Sequence, residues 1–188
     1  MTSVLILYGT TEGQTAKIAK HIGETLQTEG HSVITQDGSK LPRDFSLEPF
    51  DAIIIGASVH YGGYQKYVKQ LIQKNLDVLR RKPTAFFSVS GAAASPREQD
   101  HRETEKLVDK FIEETSWRPA KTEIFGGAIL YTQYSFFKRL MMKVILKSAG
   151  GPTDISRDHE LTDWNAVTQF AEEFSRKHMH SIANKGAL

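Results

Sequence analysis

Short apolar runs alternate along this chain with longer segments of helical period. Ser3–Tyr8, with Val4 to Leu7 apolar throughout, reads as a buried strand. The pattern predicts a helix over Thr15–Glu29, with Ile18, Ala19, Ile22 and Leu26 on one face and Gly30 as its stop. Ser32–Asp37 reads as a second strand, and Gly38–Phe50, interrupted by Pro42 and Pro49, as a loop. Ala52–Ile55 is a central strand ending at Gly56. Tyr64–Leu79 has helical period through Tyr67, Val68, Leu71, Ile72 and Leu76. Then come a strand at Thr84–Val89, a helix at His101–Thr115 and a strand at Lys121–Leu130. A last helix is expected over Thr162–His178, capped by Thr162 or Asp163, with Trp164, Val167, Phe170, Ala171 and Phe174 as its stripe.

Strand alternating with helix in this way specifies an α/β fold, a parallel sheet covered on both faces. No repeat or linker divides the chain, so residues 1–180 are expected to form one domain, with residues 181–188 as a frayed tail. Residues 131–159 are too long for a strand-to-helix connection and should have a purpose of their own.

Composition adds mainly exclusions. The 188 residues are 39% hydrophobic and 24% charged, with a formal net charge of +2 and a pI near 8.7. That excess is too small to argue for nucleic acid, although clustered cations would still attract an anionic surface. There is no cysteine, which excludes disulfides, thiol redox chemistry and iron–sulfur ligation by this chain. No metal site is expected. The apolar stretch Val4–Leu7 follows Met-Thr-Ser with no basic lead-in and is too short for a signal peptide. No run approaches the length of a bilayer span, so membrane contact should be peripheral.

The first strand runs directly into Gly9-Thr10-Thr11-Glu12-Gly13-Gln14-Thr15 and then into a helix. Strand, tight polar loop and helix N-terminus together form a phosphate site. Thr10, Thr11, Thr15 and the Gln14 amide can donate to phosphate oxygens, and Gly9 and Gly13 let the backbone N–H groups converge. The loop has no lysine, and neither the Walker pattern nor Gly-x-Gly-x-x-Gly is present, so a monophosphate held by neutral donors fits best. The run Ile6, Leu7, Tyr8, Gly9, Thr10, Thr11, Glu12, Gly13, Gln14, Thr15 resembles the flavodoxin family. Its pattern is two apolar residues, an aromatic, any residue, Ser/Thr, two variable residues, a small residue, any residue and Thr. The resemblance implies FMN and a five-stranded parallel sheet of order 2-1-3-4-5. Glu12 departs from the commonest loop, and its carboxylate is expected to point to solvent, away from phosphate.

In such sheets the ligand sits beyond the strand C-termini. By the same resemblance, two further loops contact the flavin ring. The first contains Ala57, Ser58, Val59, His60, Tyr61 and Gly62; the second contains Ser90, Gly91, Ala92 and Ala93. Tyr61 or His60 could stack on the ring. The second loop lacks an aromatic residue, and its small side chains leave room for a large flat substrate. From Ala52 to Arg97 the only acidic residue is Asp77, against Lys66, Lys69, Lys74, Arg80, Arg81, Lys82 and Arg97. Flavodoxins are strongly acidic around the flavin. A neutral or basic surround favours the fully reduced anion and so two-electron dehydrogenase chemistry.

Ser135–Ser148 has Phe136, Phe137, Leu140, Met141, Val144 and Ile145 on one broad helical face, and Arg139, Lys143 and Lys147 in a stripe at four-residue spacing. Gly150-Gly151-Pro152 stops it. Three readings stay open: a core helix with a solvated basic face, a helix on an anionic membrane surface, or a lid over a flat carboxylate-bearing substrate.

The combination resembles the bacterial menaquinone-dependent protoporphyrinogen IX dehydrogenases. The matching stretches are Gly13-Gln14-Thr15, Gly56-Ala57-Ser58 with Tyr61-Gly62, Ser116-Trp117-Arg118-Pro119, Gly127-Ala128, Gly150-Gly151 with Thr153-Asp154, and Thr162-Asp163-Trp164. His60 departs from the family, whose members carry arginine there. The resemblance implies dehydrogenation of protoporphyrinogen IX in haem synthesis. Electrons would pass through FMN to a membrane quinone, menaquinone or ubiquinone, on the cytoplasmic face of the inner membrane. Arg139, Lys143 and Lys147 are the candidates for substrate propionates or lipid phosphates. No side chain stands out as a catalytic base, the flavin N5 being the expected reactive centre. A flavodoxin-type electron carrier and a flavin NAD(P)H:quinone reductase are the alternatives. The oligomeric state stays open, a homo-oligomer included.

Overall fold

The protein is described from a computed structural model, which covers residues 1–148 and 150–179. The expected frayed tail, residues 181–188, lies outside these. Five parallel strands, β1 (Ser3–Gly9), β2 (Ser32–Asp37), β3 (Ala52–Ser58), β4 (Thr84–Ser90) and β5 (Lys121–Gly126), form one sheet of order β2-β1-β3-β4-β5. Alternate residues of β1 supply opposite cores. Val4 and Ile6 pack with α1 (Gln14–Thr28) and α6 (Trp164–Phe174), whereas Leu5 and Leu7 pack on the side of α2 (Lys66–Lys74), α3 (Leu76–Arg81) and α4 (Glu98–Thr115). Burial on both faces is why the strand is apolar at every position rather than at every second one. The register pairs Gly9 with Ala57, Ser58 with Val89 and Ser90 with Gly126, so three loops leave the sheet at one edge.

Several expected boundaries shift, four of them for a visible local reason; β3 also runs three residues past Ile55, to Ser58. The helix expected over 64–79 is two helices, divided at Asn75, whose side-chain amide donates to the Leu71 carbonyl at 2.9 Å. Helix α4 begins at Glu98 instead of His101, because Ser95, Arg97 and Asp100 close its first turn. The strand expected to reach Leu130 leaves the sheet after Gly126. A side chain at Gly126 would start 2.2 Å from the Leu161 carbonyl oxygen, and β6 (Ala128–Ile129) turns away to pair antiparallel with β7 (His159–Glu160). The last helix is capped by Asp163, which accepts from the N–H groups of Asn165 and Ala166, and is regular only to Phe174 before a wider turn over Ser175–Met179.

The chain between β6 and β7 holds α5 (Phe136–Ser148) and has a small core of its own. Ile129, Tyr131 and Tyr134 gather Met142, Leu146 and Ile155. Tyr131 donates to the Pro152 carbonyl at 2.9 Å, and Thr132 bonds to Asp158 through both its N–H and its hydroxyl.

Candidate functional site

Gly13 sits at φ +93°, the left-handed geometry that lets the loop enter α1, and its N–H donates to Thr10 Oγ1 at 2.9 Å. The Thr10 hydroxyl proton stays available to a ligand. Thr15, in the first turn of α1, is fully buried, yet its Oγ1 has no hydrogen-bond partner. A buried hydroxyl without a partner is costly unless a ligand supplies one. At a helix N-terminus a phosphate oxygen is the group that fits. Thr11 Oγ1 accepts from Gln65 Nε2 at 3.2 Å, and the same nitrogen donates to Ser58 Oγ at 2.7 Å, tying the first loop to the second.

The Gln14 amide donates one N–H to Thr162 Oγ1 at 2.9 Å, and Thr162 donates in turn to the Gly126 carbonyl, so Gln14 joins α1 to the strand exit while lining the cavity. One expectation for this loop is corrected. The Glu12 carboxylate does not point to solvent. It accepts from the Tyr134 hydroxyl at 3.1 Å and pairs with Lys138 Nζ at 3.2 Å, and that ammonium also lies 3.9 Å from the Tyr134 ring centre. A neutralised carboxylate has no need to retreat into water. Burial, then the Glu12 charge, pushes the Tyr134 phenol up to about 12.

In the next loop, Val59 continues the sheet by donating to Val89, and His60 and Gly63 bond reciprocally across a two-residue turn. Both central residues have positive φ, Tyr61 at 49° and Gly62 at 73°. A tyrosine in this conformation stores roughly 1 kcal/mol or more of strain. Tyr61 is nonetheless 93% exposed, with its ring 4.3 Å from that of His60. Ala57 is corrected: it is fully buried in the core against α2, not at the site. Gly91–Ala94 forms a tight turn capped by Ser90, whose hydroxyl accepts from the Ala92 N–H.

One cavity of about 700 Å³ joins these pieces. Thr10, Thr11, Glu12, Gln14 and Thr15 line one end; Ser58, Val59, His60 and Tyr61 meet Ser90, Gly91 and Ala92 in the middle; Met141, Met142, Ile145 and Leu146 of α5 form a wall. Of the predicted residues, Gly13, Ala57, Gly62 and Ala93 do not line it. Its charged residues form two pairs, Glu12 with Lys138 and Asp100 with Arg97, so the surround is neutral rather than basic. The lysines and arginines from Lys66 to Lys82 lie elsewhere; Lys69, for example, pairs with Glu114 at 2.9 Å. Hydrogen bonds from Arg97 and then from Ser95 hold the Asp100 carboxyl down to about 2.

For the cationic stripe, only the substrate half of the expectation is corrected. Arg139, Lys143 and Lys147 do not reach the cavity, and Arg139 instead donates to the carbonyls of Thr132 and Tyr134, both at 3.3 Å. The insert's cavity-facing cation is Lys138, one residue off the stripe. The apolar face of α5 is exposed: Phe136, Phe137, Leu140, Met141, Val144 and Ile145 all stand open, Phe137 at 83%. That excludes the reading of α5 as a core helix.

Comparison with known proteins accords with this geometry. Residues 5–156 match the Flavodoxin domain family. Over 173 residues the chain is 34% identical to the Escherichia coli K12 protein named protoporphyrinogen IX dehydrogenase [quinone], covering 91% of this chain and 93% of that one. A Leishmania major protein of the same name is 31% identical over 175 residues, covering 91% and 74%. The chain belongs to the quinone-linked protoporphyrinogen IX dehydrogenase family. Oxidised flavodoxin 1 from Bacillus cereus superposes with a TM-score of 0.56 at 16% identity, over 94% of this chain and 99% of that one, a likeness of fold.

Not all of the residues that resemble the dehydrogenase family serve the cavity. Trp117 of Ser116-Trp117-Arg118-Pro119 is buried and donates to Thr84 Oγ1 at 3.2 Å, at the sheet edge opposite the loops. Conversely, Gln65, Tyr134, Lys138, Arg97 and Asp100 were missed from sequence as site residues. Lys138 had a signal, since its position on the helical wheel of α5 falls beside Met142 and Met141 rather than with the stripe, and so did Arg97, which closely follows the second loop.

Proposed function

We propose that this protein binds FMN in the Thr10–Thr15 cradle and dehydrogenates protoporphyrinogen IX to protoporphyrin IX in haem synthesis, with a membrane quinone as acceptor. The observation that carries this reading is a single cavity running from a hydroxyl-lined helix N-terminus to the exposed apolar face of α5, in a member of this family. Thr10, Thr11 and Thr15 would hold the phosphate, and the loops Ser58–Tyr61 and Ser90–Ala92 the ring. When bound, the flavin supplies the two-electron acceptor chemistry. The full oxidation removes six hydrogens from the macrocycle and reduces three quinones to quinols.

The protein's own part is position and electrostatics. Small side chains at Gly91 and Ala92 leave space over the ring position, and Met141, Ile145 and Leu146 exclude water from a flat apolar face. Glu12 and Asp100 are both engaged in ion pairs, so neither is free as a base. The outer face of α5 suits a lipid surface from which a quinone is drawn, with Lys143 and Lys147 at its edge toward anionic headgroups. The protein would sit peripherally on the cytoplasmic face of the inner membrane; among the described residues no helix is long and apolar enough to cross one.

Anaerobic mixing of the FMN-loaded protein with protoporphyrinogen IX and a menaquinone analogue tests the reading. Porphyrin fluorescence should continue past the first flavin equivalent only when quinone is present. Failure to form porphyrin, or turnover that instead requires NAD(P)H or a partner flavodoxin, would sink it.

A further inference from the structure

The cavity lining carries a cation with no part in the reading above. Arg97 stands where the second loop enters α4. Its Nε and Nη2 donate to the two oxygens of Asp100 at 3.1 and 2.7 Å, and Asp100 also accepts from the Ser95 hydroxyl. The Asp100 side chain is 11% exposed and that of Arg97 51%. This is a side-on pairing. A guanidinium has five N–H bonds, and the side-on edge uses only two of them. The end-on edge, one N–H each from Nη1 and Nη2, points away from Asp100; Nη1 makes one long contact, 3.5 Å, to the Ser148 carbonyl at the end of α5. Both residues line the cavity, beside Ile145 and Leu146.

We infer that Arg97, oriented by Asp100, is the carboxylate-recognising residue of the cavity, pairing end-on with an acidic arm of the flat substrate. This rests on the substrate reading above, in which the macrocycle bears propionates. The other cations are less suited. Lys138 is committed to Glu12 at the phosphate end, Arg139 to backbone carbonyls, and Lys143 and Lys147 lie outside the cavity. The Asp100–Arg97 pair is neutral as a unit, so discrimination comes from fork geometry more than from net charge. Because Asp100 already immobilises the guanidinium, little further side-chain freedom is lost on binding. Asp100 is a positioning residue in this arrangement.

The test compares protoporphyrinogen IX with its dimethyl ester, which keeps the ring and removes the carboxylates. For the FMN-loaded wild type, Arg97→Met, Arg97→Lys and Asp100→Asn, KM is measured for both substrates, and Kd for protoporphyrin IX and its dimethyl ester by fluorescence. In Arg97→Met the diacid-over-diester preference should fall by roughly ten- to hundred-fold. Arg97→Lys should recover only part of it, because an ammonium has no fork, and Asp100→Asn should fall between. A wild-type preference ratio in Arg97→Met, or a loss of flavin affinity instead, would overturn the inference and leave Arg97 as a closure of the first turn of α4. If the wild type oxidises neither substrate, the dehydrogenase reading fails separately. The porphyrin Kd values then still decide: a diacid preference lost in Arg97→Met upholds the clamp, and no wild-type preference overturns it.

Discussion

Helices α5 and α6 carry the same kind of pattern over 13 and 11 residues, a broad apolar face opposite a polar one, and meet opposite fates. Val167, Phe170, Ala171 and Phe174 of α6 are all but inaccessible to solvent, packed with α1 residues against the sheet. None of the residues of α5 is buried; only Met142 and Leu146 join the small cluster beneath it, and the two phenylalanines face outward. A period of 3.6 says which side of a helix is apolar, not whether the fold has a surface to receive it. Buried hydroxyls divide in the same way. Thr84, Thr104 and Thr115 each have a partner, whereas Thr15 at the cradle has none. One part of the molecule is complete in itself; the rim formed by the cradle and α5 leaves a buried hydroxyl unpartnered and an apolar face open.

The sharpest way to break this comparison is to truncate one aromatic on each helix. Phe170→Ala should cost about 3–5 kcal/mol in denaturant unfolding, and Phe137→Ala no more than about 0.5 kcal/mol. Phe137→Ala should instead weaken binding to anionic vesicles by roughly ten-fold. Equal stability losses would mean that α5 is as much core as α6; unchanged vesicle binding would remove the lipid reading of its face. A smaller effect is expected at the cradle. Thr15→Val should raise the Kd for FMN by roughly ten- to hundred-fold, the worth of one hydrogen bond to a charged group. It should spare riboflavin, which lacks the phosphate, and leave the flavin-free protein at least as stable. Equal losses for both flavins would show that Thr15 serves the ring or the fold.

The smallest effect belongs to the join between the two parts, the partly exposed Glu12–Lys138 pair with Tyr134. Glu12→Gln should cost at most about 1 kcal/mol. Its signature is in pH. The folded-state value of the Tyr134 phenol, about 12, lies above the usual value near 10, so its contribution to stability is intact below the lower value and lost as pH rises toward the upper one. Removing the Glu12 charge should move the phenolate absorbance titration downward and narrow that window. An unmoved titration would assign the whole rise to burial.

Much of the fold is legible in the chain because its information is local. Uninterrupted apolar runs such as Ala52–Ile55, short and rich in β-branched residues, read as strands buried on both faces, and the loop from Gly9 to Thr15 between strand and helix reads as a phosphate site. The contacts that a local reading leaves out are those whose partners are remote in sequence. Gln14 reaches Thr162, 148 positions away, and Glu12 reaches Tyr134 and Lys138 across 122 and 126 positions. Spacing alone also favoured Arg139, Lys143 and Lys147, which share a stripe, over Lys138, which shares the cavity.

The sequence by itself determined the alternating architecture, the cradle and the presence of an amphipathic insert, since period, turn residues and helix-capping chemistry act over a few positions. Only the tertiary structure decided that the insert hangs beside the strand ends with its apolar face open, that two ion pairs leave the cavity neutral, and that Arg97 lines it with one long contact, to the Ser148 carbonyl, beyond its pairing with Asp100. Those outcomes depend on which surfaces remain uncovered once the sheet and its helices have packed, and covering is a property of the whole fold.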